Sequence, residues 1–320
     1  MAVATVATAR RRTLDEQTWE LVNKARRLGE SAFAPGFGSV VACGEHLVAC
    51  DGERLRRLDP GKTHEVMLQA RDVRLAQLAA DGAHAVIVAL SDEEVWRVPI
   101  EGGDAEVVAR GQEEPRSPVV LDARAAWLDG PSPPRWKDGH PVRVRLEGRE
   151  EPIHEHHGVG DLIACSGALF WRQRERRGAK SFRTDLHRWD PTMGRAEVIA
   201  VLEEGDSAEA FGLVTDGKVI AWISGQRISV LDPVTGARRS VEVGAESVCA
   251  LPVGDDLLVV VGREDVGELI RLGPDGGQRK LARWYNRSRL WTRLVLRGDE
   301  VVWAAGERLL AVTLSPGAGA

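Results

Sequence analysis

Three observations predict an all-β repeat fold for this chain of 320 residues. One motif, an alternating strand that runs into a turn rich in Asp, Pro and Gly, occurs seven times: RLRRLDPG, VWRVPIEGG, VRVRLEG, LHRWDPTMG, ISVLDPVTG, LIRLGPDGG and LLAVTLSPG. Its aligned positions, Leu58, Val98, Leu146, Trp189, Leu231, Leu272 and Val312, lie 40, 48, 43, 42, 41 and 40 residues apart. Each period also holds apolar strands upstream, entered through a Gly or Asp turn, and a short strand downstream, so a unit reads as four antiparallel strands, A to D. A period near 42 residues with four strands per unit is that of a propeller blade. The predicted fold is a seven-bladed β-propeller.

Strands A and B meet across tight turns, as in CGEHLVAC, DGAHAVIVAL, LDARAAWL, SGALFW, DGKVIAWI, VGDDLLVVV and RGDEVVWA. A two-residue turn at Gly44-Glu45 would pair Cys43 with His46. Four B strands place a tryptophan near the same point, Trp127, Trp171, Trp222 and Trp303. At blade intervals these are large apolar blocks between neighbouring sheets. The LDP and PDG turns after strand C use an Asp that caps its own backbone and a Pro with preset φ. Strand D is short, as in HEVML, AEVVA, AEVIAV, RSVEV and RKLA.

The seventh unit stops at VTLSPGAGA, after its C strand. TWELVNKA, residues 18–25, looks like the D strands elsewhere and is expected to supply the missing one, covering an open edge. A helix is the competing expectation there, because LDEQTWELVNKARRL also has a 3.6-residue period. The expected organisation is a tail at 1–13, one propeller domain at 14–316 (closing strand and linker 14–35, blades 36–316) and a tail at 317–320.

A hydrophobic fraction of 43%, a charged fraction of 28% and a net charge of −5 describe a globular chain with no global attraction for nucleic acid or anionic membranes. Cys43, Cys50, Cys165 and Cys249 form no CxxC, so buried reduced thiols in a cytoplasmic protein are expected. No run approaches the ~18 apolar residues of a membrane span, and the N-terminal arginines follow the small-residue run where a secretory signal would put charge first.

EVWRVPIEGGDAEVVARGQEEP, residues 94–115, resembles bacterial propellers whose blades carry V-x-R-V-P-x-x-GG, then a short D strand and a Pro-containing loop. The layout is similar to TolB-like and YWTD-type propellers in blade rhythm over residues 36–314. The resemblance implies the architecture and no particular ligand. The paired GH and WD dipeptides of WD repeats and YWTD itself are missing, and RWDP at 188–191 is isolated.

Function is expected where loops outgrow the structural minimum. Most B-to-C loops are short (CDGE, ISGQ, AAGE), but blade 3 carries LDGPSPPRWKDGHP (128–141) and blade 4 carries RQRERRGAKSFRTD (172–185). IHEHHGVGD (153–161) then reads as the D-to-A loop between them, so three irregular segments share one face. Arg172, Arg174, Arg176, Arg177, Lys180 and Arg183 give blade 4 a basic tip, and Arg135, Trp136 and Lys137 add an anchor. Arg and Trp are enriched in interface hot spots, and guanidinium groups bind carboxylates bidentately. A second aromatic and cationic loop between blades 6 and 7 holds Arg283, Trp284, Tyr285 and Arg287. Stacking of single-stranded bases there is disfavoured by the acidic whole.

In extended chain His154 and His156 share a side, with His157 opposite. A His-x-His pair with Asp161 could ligate zinc, but one loop does not supply converging ligands from several strands. No catalytic constellation emerges, so neither catalytic residues nor a cofactor are assigned. The expected function is a non-enzymatic interaction propeller, monomeric alone, a regulatory or scaffold subunit that docks a protein through the top-face loops of blades 3 and 4. The alternative is a lyase-, cyclase- or lactonase-like enzyme using His154, His156, His157, Asp161 and Asp129.

Overall fold

The computed structural model describes residues 26–30, 40–50, 54–58, 65–69, 77–81, 86–91, 93–101, 103–131, 140–178, 181–206, 210–243, 247–263, 266–285, 294–305 and 308–314. All secondary structure among them is β. Strand β1 is Arg26–Glu30. Blade 1 holds β2 (Val40–Cys43), β3 (His46–Cys50), β4 (Arg54–Leu58) and β5 (Glu65–Gln69). Blade 2 holds β6 (Gln77–Asp81), β7 (Val86–Leu90), β8 (Val95–Pro99) and β9 (Glu106–Ala109). Blade 3 holds β10 (Arg116–Leu121), β11 (Arg124–Asp129), β12 (Val142–Leu146) and β13 (His154–His156). Blade 4 holds β14 (Val159–Cys165), β15 (Ala168–Arg176), β16 (Ser181–Trp189) and β17 (Ala196–Asp206). Blade 5 holds β18 (Ala210–Thr215), β19 (Ile220–Ser224), β20 (Arg227–Leu231) and β21 (Arg238–Glu242). Blade 6 holds β22 (Ser247–Val253), β23 (Asp256–Arg263), β24 (Val266–Leu272) and β25 (Gln278–Tyr285). Blade 7 holds β26 (Leu294–Arg297), β27 (Glu300–Ala305) and β28 (Arg308–Thr313).

Blades 1 to 6 are antiparallel meanders in chain order. The A strands β2, β6, β10, β14, β18, β22 and β26 are neighbours in sequence, and β26 lies beside β2, which makes a ring of seven blades. A central cavity of about 490 Å³ is lined by all seven A strands. The core is correspondingly divided among seven apolar clusters, one in each seam between blades. The seam of blades 7 and 1 joins Val302 and Ala311 to Val40, Leu47, Ala49 and Leu58, so packing closes the circle.

The fourth strand of the last sheet is β1, which pairs antiparallel with β28 through Arg26↔Ala311 and Glu30↔Arg308. The segment 18–25, expected to fill that place, lies outside the described residues, and the strand present there begins at Arg26.

The local expectations about turns and tryptophans follow the register. Cys43 pairs with His46 across the Gly44-Glu45 turn, where Gly44 takes φ +60. Trp127, Trp171, Trp222 and Trp303 are all buried, each in the cluster that joins its blade to the preceding one. The Asp of the DP turns caps the backbone: Asp190 Oδ1 accepts from Thr192 N at 2.8 Å, and Asp232 Oδ1 accepts from Val234 N at 2.8 Å. The cysteines described are free thiols, with Cys43, Cys50 and Cys165 buried.

Strands β10, β14, β18 and β22 each slip register near their start. The bulge puts Ser117, Asp161 and Gly212 at φ +49, +46 and +65, which turns the amide sideways toward the preceding blade. Gln77 Oε1 accepts from Ser117 N at 2.7 Å, and Asp161 Oδ2 accepts from Gly212 N at 3.0 Å. The same bulge therefore stitches blade 2 to blade 3 and blade 4 to blade 5.

Candidate functional site

Blade 4 departs from the others in length. Strands β15 and β16 have nine residues and β17 has eleven, whereas β19, β20 and β21 of blade 5 have five each. The segment 172–185, expected as a loop, is mostly a continuation of the β15–β16 ladder, with register kept from Arg172↔Leu186 to Arg176↔Phe182. Alternation explains why it folds so. Arg172, Arg174 and Arg176 share one face with Leu186, Thr184 and Phe182, and the Arg174 guanidinium lies 4.0 Å from the Phe182 ring centroid. The turn at the tip is closed by Arg177 N donating to Ser181 O at 2.9 Å.

The ladder also changes the electrostatics. Arg172 Nε meets Asp161 Oδ2 at 2.7 Å, Arg177 meets Glu175 at 3.0 Å and Arg183 Nε meets Asp185 Oδ1 at 2.8 Å. Strand β17 adds Glu204 opposite Arg183 and Glu203 opposite Thr184. Arg172, Arg177 and Arg183 of the expected basic tip are thus charge-compensated, by Glu175 and Asp185 within the hairpin and by Asp161 from β14. Arg176, Arg177 and Gly178 remain exposed at its end.

His154 and His156, expected in the loop between blades, form strand β13, paired through Val142↔His156 and Val144↔His154. Only His157 and Gly158 are left for the connection before β14. In this short strand His154 faces blade 4. Its ring centroid is 5.2 Å from Trp171, 5.4 Å from His187 and 6.4 Å from His156, and Trp171 stacks on His187 at 5.6 Å. His154 Nε2 lies 2.7 Å from Gln173 Oε1, while Gln173 Nε2 donates to Glu175 Oε1 at 3.0 Å. The amide orientation fixed by Glu175 makes Gln173 the acceptor, so His154 carries its proton on Nε2. His156 is the same tautomer, because its Nδ1 accepts from Gly158 N at 3.1 Å and leaves the proton on Nε2.

Burial lowers the pKa of His187 from 6.5 to about 4, helped by the neighbouring His154, and burial likewise lowers that of His156. His187 was not singled out in the sequence. The repeat alignment does contain a signal, since the same C-strand position holds the buried Ser229 in blade 5 and the buried Ile270 in blade 6.

Among the described residues no three His, Cys, Asp or Glu side chains are grouped to hold a metal ion. The rings of His154 and His156 stack at an interplanar angle of 30°, and those of His154 and His187 are tilted at 38°. Asp161, weighed as a third ligand, is engaged by Arg172 and Gly212 N in the inter-blade stitch. Asp129 is buried and accepts from Glu113 N at 2.8 Å.

The remaining candidates divide. Trp284 is 4% exposed and packs 5.0 Å from the Trp303 ring, so it belongs to the core and is no surface anchor. A Cβ on Gly267 would come within 2.6 Å of that indole, which is why glycine stands opposite it. Arg283 lies 3.3 Å from the buried Glu268, and Tyr285 ends β25 opposite Val266. Arg135, Trp136, Lys137, Lys180 and Arg287 lie outside the described residues.

No family model matches the chain, and no curated protein matches it in sequence. Several solved structures resemble it. The WD40 domain of Neurospora crassa Pan2 is 11% identical with a TM-score of 0.58, over 91% of this chain and 98% of that one. YCF48, solved bound to a D1 peptide, is 12% identical with a TM-score of 0.56, over 91% and 94%. A prolyl endopeptidase is 15% identical with a TM-score of 0.54, over 84% of this chain and 46% of that one. At such identities the likeness shows the fold, and the class of the protein is the β-propeller.

Proposed function

We propose that this chain is a non-enzymatic interaction propeller, a regulatory or scaffold subunit that docks a protein partner at blades 3 and 4. One observation carries the reading: the outer strands of blade 4 outgrow those of blade 5 and end in an exposed Arg176-Arg177-Gly178 tip. Segments that outgrow the structural minimum of a rigid scaffold are where binding concentrates. The fold itself is shared with proteins of different activities, among them YCF48, whose solved complex contains a peptide. Asp129 and Asp161, which an enzymatic reading would use, already hold backbone amides. A cytoplasmic location accords with three buried free thiols.

The test is affinity capture with wild-type protein and the Arg176→Glu/Arg177→Glu variant. Both side chains are exposed, so the melting temperature should stay within about 2 °C. Capture of the partner should fall by about tenfold or more. Equal capture by the two proteins would remove the tip from the interface.

A further inference from the structure

Four of the chain's eight histidines, His154, His156, His157 and His187, gather at the seam of blades 3 and 4. We propose that this cluster is an acid-sensitive latch: its ring contacts hold strand β13 on blade 4, and protonation of His156 and His187 releases it. The inference is independent of any docked partner.

Three features of the geometry support it. Strand β13 spans three residues and its ladder to β12 has three pairs, as short as the β8–β9 ladder of blade 2, so the ring contacts toward blade 4 add to a short pairing. The Gly158 N–H that closes the turn into blade 4 is accepted by His156 Nδ1, a bond that a protonated imidazole cannot make. His187 is buried between Trp171 and His154, where a positive charge would lose its water.

The acids that face the cluster favour such a charge, but burial outweighs them and each is already engaged. From β15, Glu175 is bonded to Gln173 and Arg177. From β16, Asp185 is held by both Nε contacts of Arg183. From β13, Glu155 pairs with Arg143 of β12 at 2.9 Å, and from β17 the neighbour opposite His187 is the apolar Val198. Glu155, Glu175 and Asp185 each already have a cation of their own, so a charge on His187 gains no new ion pair in the seam.

The direction with pH follows. His187 titrates at about 4 in the closed seam against 6.5 when free, and His156 is displaced the same way. Between those values the open form binds protons that the closed form does not, so opening becomes more favourable as pH falls and the latch is fully closed above the free value.

Backbone hydrogen exchange on the full chain, corrected for the intrinsic pH dependence, reads this out. Going from about pH 7.5 to about pH 5, the segment 153–160 should lose about tenfold protection, while strand β19 in blade 5 keeps its own. An equal response of both segments, or none in either, overturns the latch. His187→Phe retains a flat ring without a titrating group, and His156→Asn retains an oxygen acceptor for Gly158. Each should cut the acid response at least by about half, and a full wild-type response in both overturns the proposal. If His187→Phe does not fold, the wild-type pattern together with His156→Asn decides it.

Discussion

Trp171 shows what a single side chain contributes to a ring of sheets. Its indole is fully buried in the cluster joining blades 3 and 4, and its outer side carries the His154 and His187 rings. A residue chosen in sequence as an apolar block is therefore also the platform of the histidine seam. Trp171→Ala should destabilise the protein by about 3–5 kcal/mol in chemical denaturation, through lost burial and the cavity left behind. It should also speed exchange in β13, because the strand's main packing surface is gone. A loss below about 1 kcal/mol would mean that neighbouring rings collapse into the space.

At the scale of elements, the recurring bulge at the start of strand A matters more than sequence patterning suggests. A bulge of one residue redirects an amide, and a side chain of the neighbouring blade accepts it. Asp161 does this while also holding Arg172, so it joins β14, β15 and β18. Asp161→Ala leaves a guanidinium and an amide without their acceptor and should cost about 2–4 kcal/mol in the same denaturation assay. Asp161→Asn, which keeps one oxygen acceptor, should cost less. The converse ordering would show that the carboxylate is kept for something other than the stitch. The hairpin of blade 4 makes a related point about charge: three of its cations, Arg172, Arg177 and Arg183, are ion-paired once the ladder forms, with Asp161, Glu175 and Asp185.

At the scale of the molecule, stability is circular. Each blade buries its apolar faces only between two others, and the last seam returns to blade 1. The outer edge of β28 is covered by β1. Removing residues 1–30 should uncover a strand edge, lower the melting temperature by about 5 °C or more and promote concentration-dependent self-association. Light scattering and thermal denaturation at two protein concentrations would check this. An unchanged melt and a monomeric profile would show that the apolar seams suffice without the added strand.

Blade number, strand order, the tight turns and the seam tryptophans were legible in the sequence because they repeat. Period-2 alternation, turn chemistry and a spacing near 42 residues are local properties that seven copies reinforce. The candidate site was legible only as a location. That 172–185 continues a ladder, that His154 and His156 are a strand, and that Trp284 is core depend on which side chain lies across from which. His187 belongs to the histidine seam through a contact with a residue 33 positions earlier, His154, in a different blade. The sequence by itself determined the ring. Only the tertiary structure decided which charges are compensated and which histidines share a seam, because pairing between distant strands sets both.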